Sequence, residues 1–273
     1  MILDIDAGNS FVKWRIKDGS VDIAEGSQVI AEGSQCITEG PQVIDEGSQV
    51  IAEGSEATGQ VVKAGLNLGN TQRLTQARIA SVADPAVTET VRDQMQRQFN
   101  LELQIARVSP LVAGVSCGYN EPETLGIDRW LAAVAAYQRN AGAVLVVDAG
   151  SAITIDLVGP QGQHLGGYIS PGLRLMREAL WQGTDRVQVD EVEPLNMLVP
   201  GASTQDAVNR GCLLAAVATI EKLASQYPAS IVITGGDGPV IASALSLAAD
   251  HVPGLVLDGL AIAGVEFTQT LIS

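Results

Sequence analysis

One short pattern occurs twice in this chain, once at the amino terminus and once near the middle. Residues 144–156 read Val-Leu-Val-Val-Asp-Ala-Gly-Ser-Ala-Ile-Thr-Ile-Asp, and residues 2–16 contain a similar run around Asp6-Ala7-Gly8. In each copy an apolar stretch leads into Asp-Ala-Gly, and alternating apolar and polar residues follow. This arrangement predicts a buried strand, a tight turn and a returning strand. We therefore expect two equivalent strand–turn–strand units.

The two predicted turns are suited to binding phosphate. Gly8 and Gly150 lack a Cβ atom, so the backbone can adopt a positive φ and a ligand can approach closely. Turn amides bind phosphate oxygens, and the carboxylates of Asp6 and Asp148 can hold the counter-cation. Two such units facing each other would form a cleft between two lobes. The sequence thus predicts a two-lobed nucleotide-binding enzyme.

Strand-like and helix-like stretches alternate elsewhere in the chain. Asp84 and Pro85 are typical of a helix N-cap and first turn, and they open a predicted helix to about residue 99. Strand-like residues 77–82 and 101–108 flank it, which predicts a crossover with parallel pairing. Further helices are expected from Asp128 and Arg129 onward, at 173–181 and at 204–226, with a buried strand at 231–234 and a last helix starting near Asp258.

Residues 24–58 are a repeat of a seven-residue unit, first Ala-Glu-Gly-Ser-Gln-Val-Ile and last a degraded copy. A glycine in every unit costs a helix roughly 1 kcal/mol relative to alanine, which argues against a coiled coil. An odd period also reverses the inward face of a strand at each unit. Short strands joined by Glu-Gly-Ser turns, or plain disorder, are the open alternatives. We expect this insert to project outward and to have no catalytic role.

Composition limits the kinds of partner and site. The formal net charge is −15 and the pI is near 4.4, whereas binding to nucleic acid or an anionic membrane needs clustered Lys and Arg, so neither is expected. No secretory signal or membrane span is predicted, and three scattered cysteines are typical of a reduced cytoplasmic protein. His164 and His251 are not near a promising Ser or Cys, so no hydrolase triad is predicted.

Six short motifs follow one another along the chain. They are Asp6-x-Gly8-Asn9-Ser10, Gly118-Tyr119, Leu125-Gly126-Ile127-Asp128-Arg129-Trp130, Asp148-x-Gly150-Ser151-Ala152, Gly166-Gly167-x-Ile169-x-Pro171-Gly172 and Thr234-Gly235-Gly236-Asp237. Each is weak alone, whereas all of them in this order are specific. On these motifs the chain resembles type III pantothenate kinase, a family of the actin/hexokinase/Hsp70-like ATPase superfamily. The resemblance covers nearly the whole chain apart from the repeat.

The resemblance implies a fold and an activity. The implied fold is α/β, with two ribonuclease-H-like lobes of mixed β-sheets flanked by helices and a nucleotide cleft between the lobes. The amino-terminal lobe is expected over 1–118, including the insert at 19–58, and the carboxy-terminal lobe over 119–273. The implied protein is a cytoplasmic homodimeric phosphotransferase. It would use ATP to phosphorylate pantothenate to 4′-phosphopantothenate, the first step of coenzyme A biosynthesis.

The resemblance also implies roles for individual residues. ATP is expected to bind Asp6, Ala7, Gly8, Asn9, Ser10, Phe11, Val12, Lys13, Ser151, Gly235 and Gly236. Pantothenate is expected to bind Tyr119, Gly126, Ile127, Asp128, Arg129 and, across the dimer interface, Thr204. Asp128 is the expected general base. Asp148 is expected to bind a monovalent cation, K⁺ or NH₄⁺, and Asp6 to support Mg²⁺ through water.

The residues themselves are compatible with a kinase and leave two alternatives open. Phosphoryl transfer needs positioning and charge neutralisation, which Lys13, Arg129 and the turn amides can supply. Ser151 stands where the family usually has Thr, and its hydroxyl preserves the contact. Because fold does not fix substrate, a kinase for another small hydroxylated metabolite is one alternative. The other is a non-catalytic regulatory relative, since some proteins of this family are described as accessory factors for transcription.

Overall fold

The computed structural model describes residues 1–18, 49–69, 71, 73–140, 142–182, 198–262 and 264–268. Its strands are β1 (Ile2–Ala7), β2 (Phe11–Lys17), β3 (Val50–Ala57), β4 (Gln76–Ser81), β5 (Leu103–Arg107), β6 (Leu111–Val112), β7 (Val115–Ser116), β8 (Val144–Ala149), β9 (Ala152–Val158), β10 (His164–Pro171), β11 (Ser230–Thr234), β12 (Ala249–His251) and β13 (Glu266–Thr268). Its α-helices are α1 (Thr58–Ala64), α2 (Pro85–Phe99), α3 (Ile127–Asn140), α4 (Leu173–Gln182), α5 (Thr204–Gln226), α6 (Gly238–Ala244) and α7 (Leu255–Leu260).

The two larger sheets repeat one topology. The first has the strand order β13-β5-β4-β1-β2-β3, and the second has the order β10-β9-β8-β11-β12. In each, an antiparallel hairpin (β1–β2 or β8–β9) has a third antiparallel strand on one side and two parallel strands on the other. The duplicated sequence pattern thus coincides with a duplicated sheet. The predicted α/β fold of mixed sheets flanked by helices is confirmed.

The carboxy-terminal end of the described chain returns to the first sheet. Strand β13 pairs antiparallel with β5, so Phe267 lies opposite Ala106. Helix α7 also packs on β1 and β4 of that sheet. The division of the chain into lobes at residue 118 stays a prediction.

Local sequence signals explain where the helices begin. The Asp84 carboxylate accepts a hydrogen bond from the Ala86 amide (2.8 Å) and so caps α2, as predicted. The parallel pairing of β4 and β5 on either side of α2 confirms the predicted crossover. The last helix, α7, begins earlier than predicted, at Leu255. Asp258 lies in its first turn, where a carboxylate is also favoured, and this is why it resembled a start signal.

Small residues let two helices pack closely between the sheets. The buried face of α3 is Ala-rich, running from Leu131 to Ala136, and it belongs to a core cluster with residues of both sheets, such as Ala80 and Val146. A Cβ atom at Gly259 of α7 would lie 2.5 Å from the Leu131 carbonyl oxygen. The closeness of α3 and α7 therefore depends on that glycine. Within the described part of the chain, no helix is both long and apolar enough to cross a membrane.

The end of the seven-residue repeat is a sheet strand. Residues 50–57 form β3, which pairs antiparallel with β2 at the edge of the first sheet. A Cβ atom at Gly54 would lie 2.6 Å from the Trp14 ring, so the repeat glycine allows β3 to pack on that ring. The Trp14 indole donates to the Glu56 carboxylate (3.2 Å). The prediction of a strand is therefore correct for this unit, whereas the predicted Glu-Gly-Ser turn is wrong, because Glu53-Gly54-Ser55 lies inside β3. The prediction that the insert projects outward falls on residues 19–48, outside those described.

Deleting residues 24–51, four whole repeat units, should leave the fold intact. Ile23 then directly precedes Ala52, so an isoleucine still occupies the place of Ile51 in β3. We expect an unchanged or slightly higher thermal unfolding midpoint, because a shorter connection loses less entropy on folding, about 0.6 kcal/mol for each halving of length. Calorimetry and circular dichroism measure this.

The control for that deletion is Gly54→Val in the full chain. Its side chain would press on the Trp14 ring and lower the unfolding midpoint by roughly 5 °C or more. A deletion variant that is destabilised as much as Gly54→Val would contradict the prediction that the insert is dispensable.

Candidate active site

The turns of the two hairpins touch. The hydroxyl oxygens of Ser10, in the β1–β2 turn, and Ser151, in the β8–β9 turn, are 2.6 Å apart and share a hydrogen bond. The Gly8 amide closes the first turn by donating to the carbonyl three residues on (3.0 Å), and the Gly150 amide closes the second by donating to the carbonyl two residues on (2.9 Å). The two similar units thus present their turns to one place.

Two carboxylates and one lysine line a small cavity beside these turns. Lys13 lies directly opposite Asp6 in the β1–β2 pair, so their side chains share a face of the sheet. The cavity, of about 10 Å³, has room for about one water molecule or one small ion. It is lined by Asp6, Lys13, Asp148, Thr234, Pro253, Gly254, Val256 and Leu257.

Burial and nearby negative charges raise the pKa values of the carboxyl groups here. Loss of solvent raises the pKa of Asp6 to about 7, with the charges of Asp148 and Asp128 adding to the increase and Lys13 opposing it. Loss of solvent likewise raises the pKa of Asp148 to about 6, against the lowering effect of Lys13 and with a further increase from Asp128. The cavity therefore carries more negative charge than Lys13 neutralises, which favours binding of a cation there.

Asp128 is close enough to add to this negative charge. It lies in the first turn of α3, where its Oδ1 accepts a hydrogen bond from the Arg129 amide (2.8 Å). Burial raises the Asp128 pKa, and that hydrogen bond opposes the increase. A Cβ atom at Gly126 would lie 2.7 Å from Asp128 Oδ1, so the glycine makes room for the carboxylate. Ile127, between them, is buried.

Arg129 is buried, not solvated as an isolated first-turn arginine would be. Its Nε and Nη2 donate to the two carboxylate oxygens of Asp156 (2.9 and 2.6 Å), and its Nη1 donates to the Tyr119 hydroxyl (3.0 Å). The sequence reasoning gave Asp156 no role. A signal was available, because Asp156 stands among buried apolar residues of β9, and a charge there needs a partner.

The paired glycines after β11 pack on the second turn. In the β8–β11 pair, Thr234 lies opposite Asp148. Gly235 has a φ of +89°, and a Cβ atom there would lie 2.3 Å from the Ala149 carbonyl oxygen. Only glycine fits this conformation and contact. Gly236 has open space around its Cα, with nothing within 4 Å of a Cβ built there.

Some predicted residues lie apart from these groups or turn away from them. Ala7 and Val12 have their side chains in the core of the first sheet, so only their backbone can face a ligand. Asn9 and Phe11 are exposed at the first turn. Thr204 is exposed at the start of α5, and none of the hydrogen bonds found among the described residues joins its side chain to the carboxylates.

The acidic site fits a cation held mainly by a ligand and water. Among the described residues, no three His, Cys, Asp or Glu side chains come together as a complete metal cage. Mg²⁺ usually keeps several waters and binds one or two carboxylates together with substrate phosphates. Asp6 and Asp148, crowded and only partly neutralised by Lys13, are a donor set of that kind.

Solved structures share this fold. A Campylobacter jejuni protein described as a conserved Baf family transcriptional activator superposes with a TM-score of 0.55, at 22% sequence identity and with 94% of each chain covered. The type IV pilus PilM–PilN complex matches with a TM-score of 0.50, at 11% identity and with 97% of this chain and 98% of the other covered. At such identities the likeness concerns the fold alone.

Closer similarity comes from sequence comparisons. The family model for type III pantothenate kinase matches residues 2–226. Proteins named type III pantothenate kinase from Chromohalobacter salexigens and Azotobacter vinelandii are each 36% identical to this chain. The first alignment covers 97% of this chain and 86% of the relative, and the second covers 96% and 98%. The chain therefore belongs to the type III pantothenate kinase family.

Proposed function

We propose that this chain transfers the terminal phosphoryl group of ATP to the primary hydroxyl of pantothenate, the first step of coenzyme A biosynthesis. The observation that carries the proposal is the convergence of Asp6, Asp128 and Asp148 beside the touching turns of the two hairpins. Phosphoryl transfer needs cations and positioned groups more than covalent chemistry. The relatives named for this activity match almost the whole chain.

The ATP phosphates are assigned to the turn amides of residues 6–13 and to the Ser151 hydroxyl. Lys13 supplies a fixed positive charge next to Asp6. Asp148 would hold K⁺ or NH₄⁺, and Asp6 would support Mg²⁺ through water; when bound, these ions neutralise phosphate charge. The open space at Gly236 gives the adenosine room beside the Gly235-Gly236 turn.

Asp128 is assigned as the general base for the pantothenate hydroxyl. Its pKa is raised by burial, and a carboxylate of higher pKa is a stronger proton acceptor. Gly126, Ile127 and Arg129 flank it in the chain, and Tyr119 accepts a hydrogen bond from the Arg129 side chain; these four residues would hold the substrate. The hydrogen bond from the Arg129 amide to Oδ1 fixes the orientation of the carboxylate, so that Asp128 is held in place before the substrate binds.

A homodimer is part of the proposal. Helix α4 packs on strand β10 and on helix α5, and these three elements leave large apolar side chains exposed. They are Tyr168, Ile169, Leu175, Trp181 and Leu214. A second copy of the chain would cover this apolar face. The exposed Thr204, at the start of α5, would then reach pantothenate in the partner's site.

The proposal also assigns a location and separates two alternatives. We place the enzyme in the cytoplasm, where ATP is available, and the two described cysteines, Cys117 and Cys212, are free thiols. No nucleic acid or membrane partner is assigned, because the net charge is −15. A kinase for another hydroxylated metabolite would give ADP release with a different acceptor. A regulatory protein would give none.

ADP release with Asp128→Asn tests the assigned reaction and base. The wild type should release ADP only when pantothenate, ATP, Mg²⁺ and K⁺ or NH₄⁺ are all present. Asn keeps the shape of Asp but accepts no proton, so kcat should fall roughly 100-fold or more while the Kd for ATP is unchanged. Asp93→Asn, on the exposed side of α2, is the matched control. Pantothenate-independent ADP release, or full activity of Asp128→Asn, would refute the assignment.

Stability should depend on pH through Asp148. The folded chain, in which the Asp148 pKa is about 6, holds protons that the unfolded chain releases above about pH 4, so the free energy of unfolding falls as pH rises between these values. Asp148→Asn removes this loss. In nucleotide-free buffer the variant should be more stable than wild type at pH 8 by on the order of 1 kcal/mol, and this difference should disappear only as the pH falls to about 4. Urea unfolding of both proteins measures their free energies of unfolding at each pH. An Asp148→Asn variant that is less stable than wild type at pH 8 would contradict the account.

Mixing two variants tests the contribution of Thr204 across the dimer. Asp128→Asn lacks the base, and Thr204→Glu would bring a negative charge to the partner's substrate. A heterodimer of the two has one site with an intact Asp128 and an intact Thr204. After unfolding and refolding together, the mixture should regain up to about one quarter of wild-type activity, since half of the dimers are mixed and each has one good site. Activity no higher than the mean of the separate variants would exclude a shared site.

A further inference from the structure

Asp156 is the centre of a buried polar cluster next to the proposed substrate site. The Asp156 cluster consists of Asp156, Arg129, His164 and Tyr119. Only 2% of Asp156 and of His164 is exposed. The Asp156 carboxylate accepts from Nε and Nη2 of Arg129 (2.9 and 2.6 Å), and His164 Nε2 lies 2.9 Å from its Oδ1. Asp156 thus holds both an arginine and a histidine.

The partners of His164 indicate which ring nitrogen carries its proton. An ionised carboxylate can only accept, so Nε2 of His164 is the donor to Asp156. Nδ1 is buried and has no hydrogen-bond partner in the described part of the chain. The hydrogen bond to Asp156 therefore places a proton on Nε2 of the ring.

Ring packing also connects His164 to the substrate site. Its imidazole stacks on the Tyr119 ring, with 5.9 Å between ring centroids and 27° between planes. The Trp130 indole meets the imidazole edge-on, with 6.4 Å between centroids. His164 therefore contacts Asp156 through a hydrogen bond and Tyr119 through its face. A change at His164 acts on both supports of Arg129.

Two motif glycines make this close packing possible. A Cβ atom at Gly167 would lie 2.5 Å from Asp156 Oδ1 and 2.6 Å from Arg129 Nη2. A Cβ atom at Gly118 would lie 1.8 Å from the His164 carbonyl oxygen. Larger residues at either position would push the cluster apart. The glycines thus give space to the cluster as well as to the turns.

We propose that Asp156 and His164 are positioning residues for the acceptor substrate. Asp156 binds Nε and Nη2 along one edge of the Arg129 guanidinium, and the remaining nitrogen, Nη1, donates to the Tyr119 hydroxyl (3.0 Å). His164 fixes Asp156 and the Tyr119 ring in turn. This inference rests on the proposed function, because it takes Tyr119 and Arg129 to be the groups that contact pantothenate. Loosening the cluster should therefore weaken acceptor binding more than ATP binding.

Two His164 variants of the full-length protein test this role. His164→Phe keeps a flat ring between Tyr119 and Trp130 but has no donor for Asp156. His164→Gln places an amide N–H donor near the position of Nε2. We expect His164→Phe to raise KM for pantothenate roughly 5- to 10-fold, which is the effect of losing one hydrogen bond, with KM for ATP within about twofold of wild type. His164→Gln should bring KM for pantothenate most of the way back to the wild-type value.

The other histidine provides the matched control. His251, exposed on β12, should tolerate both Phe and Gln with unchanged KM values. If wild type is active and His164→Phe leaves KM for pantothenate unchanged, or raises both KM values equally without rescue by Gln, the positioning role is wrong and the proposed function stands. If wild type itself shows no pantothenate-dependent ADP release, the proposed function is wrong, and the positioning role falls with it.

Discussion

The structure depends on keeping like charges close together where two similar hairpins meet. Asp6 lies near the end of β1, Asp148 near the end of β8 and Asp128 in the first turn of α3. The charges of Asp148 and Asp128 raise the Asp6 pKa, and the charge of Asp128 raises the Asp148 pKa. Lys13 is the cation that the sheet itself places opposite Asp6. Such crowding costs free energy in the ligand-free protein, and cations or a nucleotide with its metal ion would relieve it. The acidic cluster is thus a source of binding energy as well as of instability.

Glycine is the second requirement of this site. Three carboxylates stand beside a glycine whose Cβ atom would collide with the carboxylate oxygen: Gly126 is beside Asp128, Gly235 beside Asp148, and Gly167 beside Asp156. These glycines come from three different motifs. These glycines are therefore needed because chain segments approach one another closely, in addition to the turn geometry that glycine usually indicates.

Much of this arrangement could be predicted from the sequence. The period-two patterns around Asp6 and Asp148 predicted both hairpins, and the cap at Asp84 predicted α2, because these signals act over a few residues. The cluster around Asp156 could not be predicted in this way. It joins β9, α3 and β10, and only the fold brings those residues together. The start of α7 was wrong because an acidic first-turn residue resembles a start signal.

Carbon-13 NMR of the aspartate side chains tests the central claim most directly. Asp6→Asn and Asp148→Asn variants identify the two carboxyl signals. In ligand-free protein these signals should titrate with midpoints near 7 and 6, and both midpoints should fall when ATP, Mg²⁺ and K⁺ are added. Two carboxyl groups that titrate near about 4, with or without the ligands, as in an unstructured peptide, would contradict the account of a crowded cation and phosphate site.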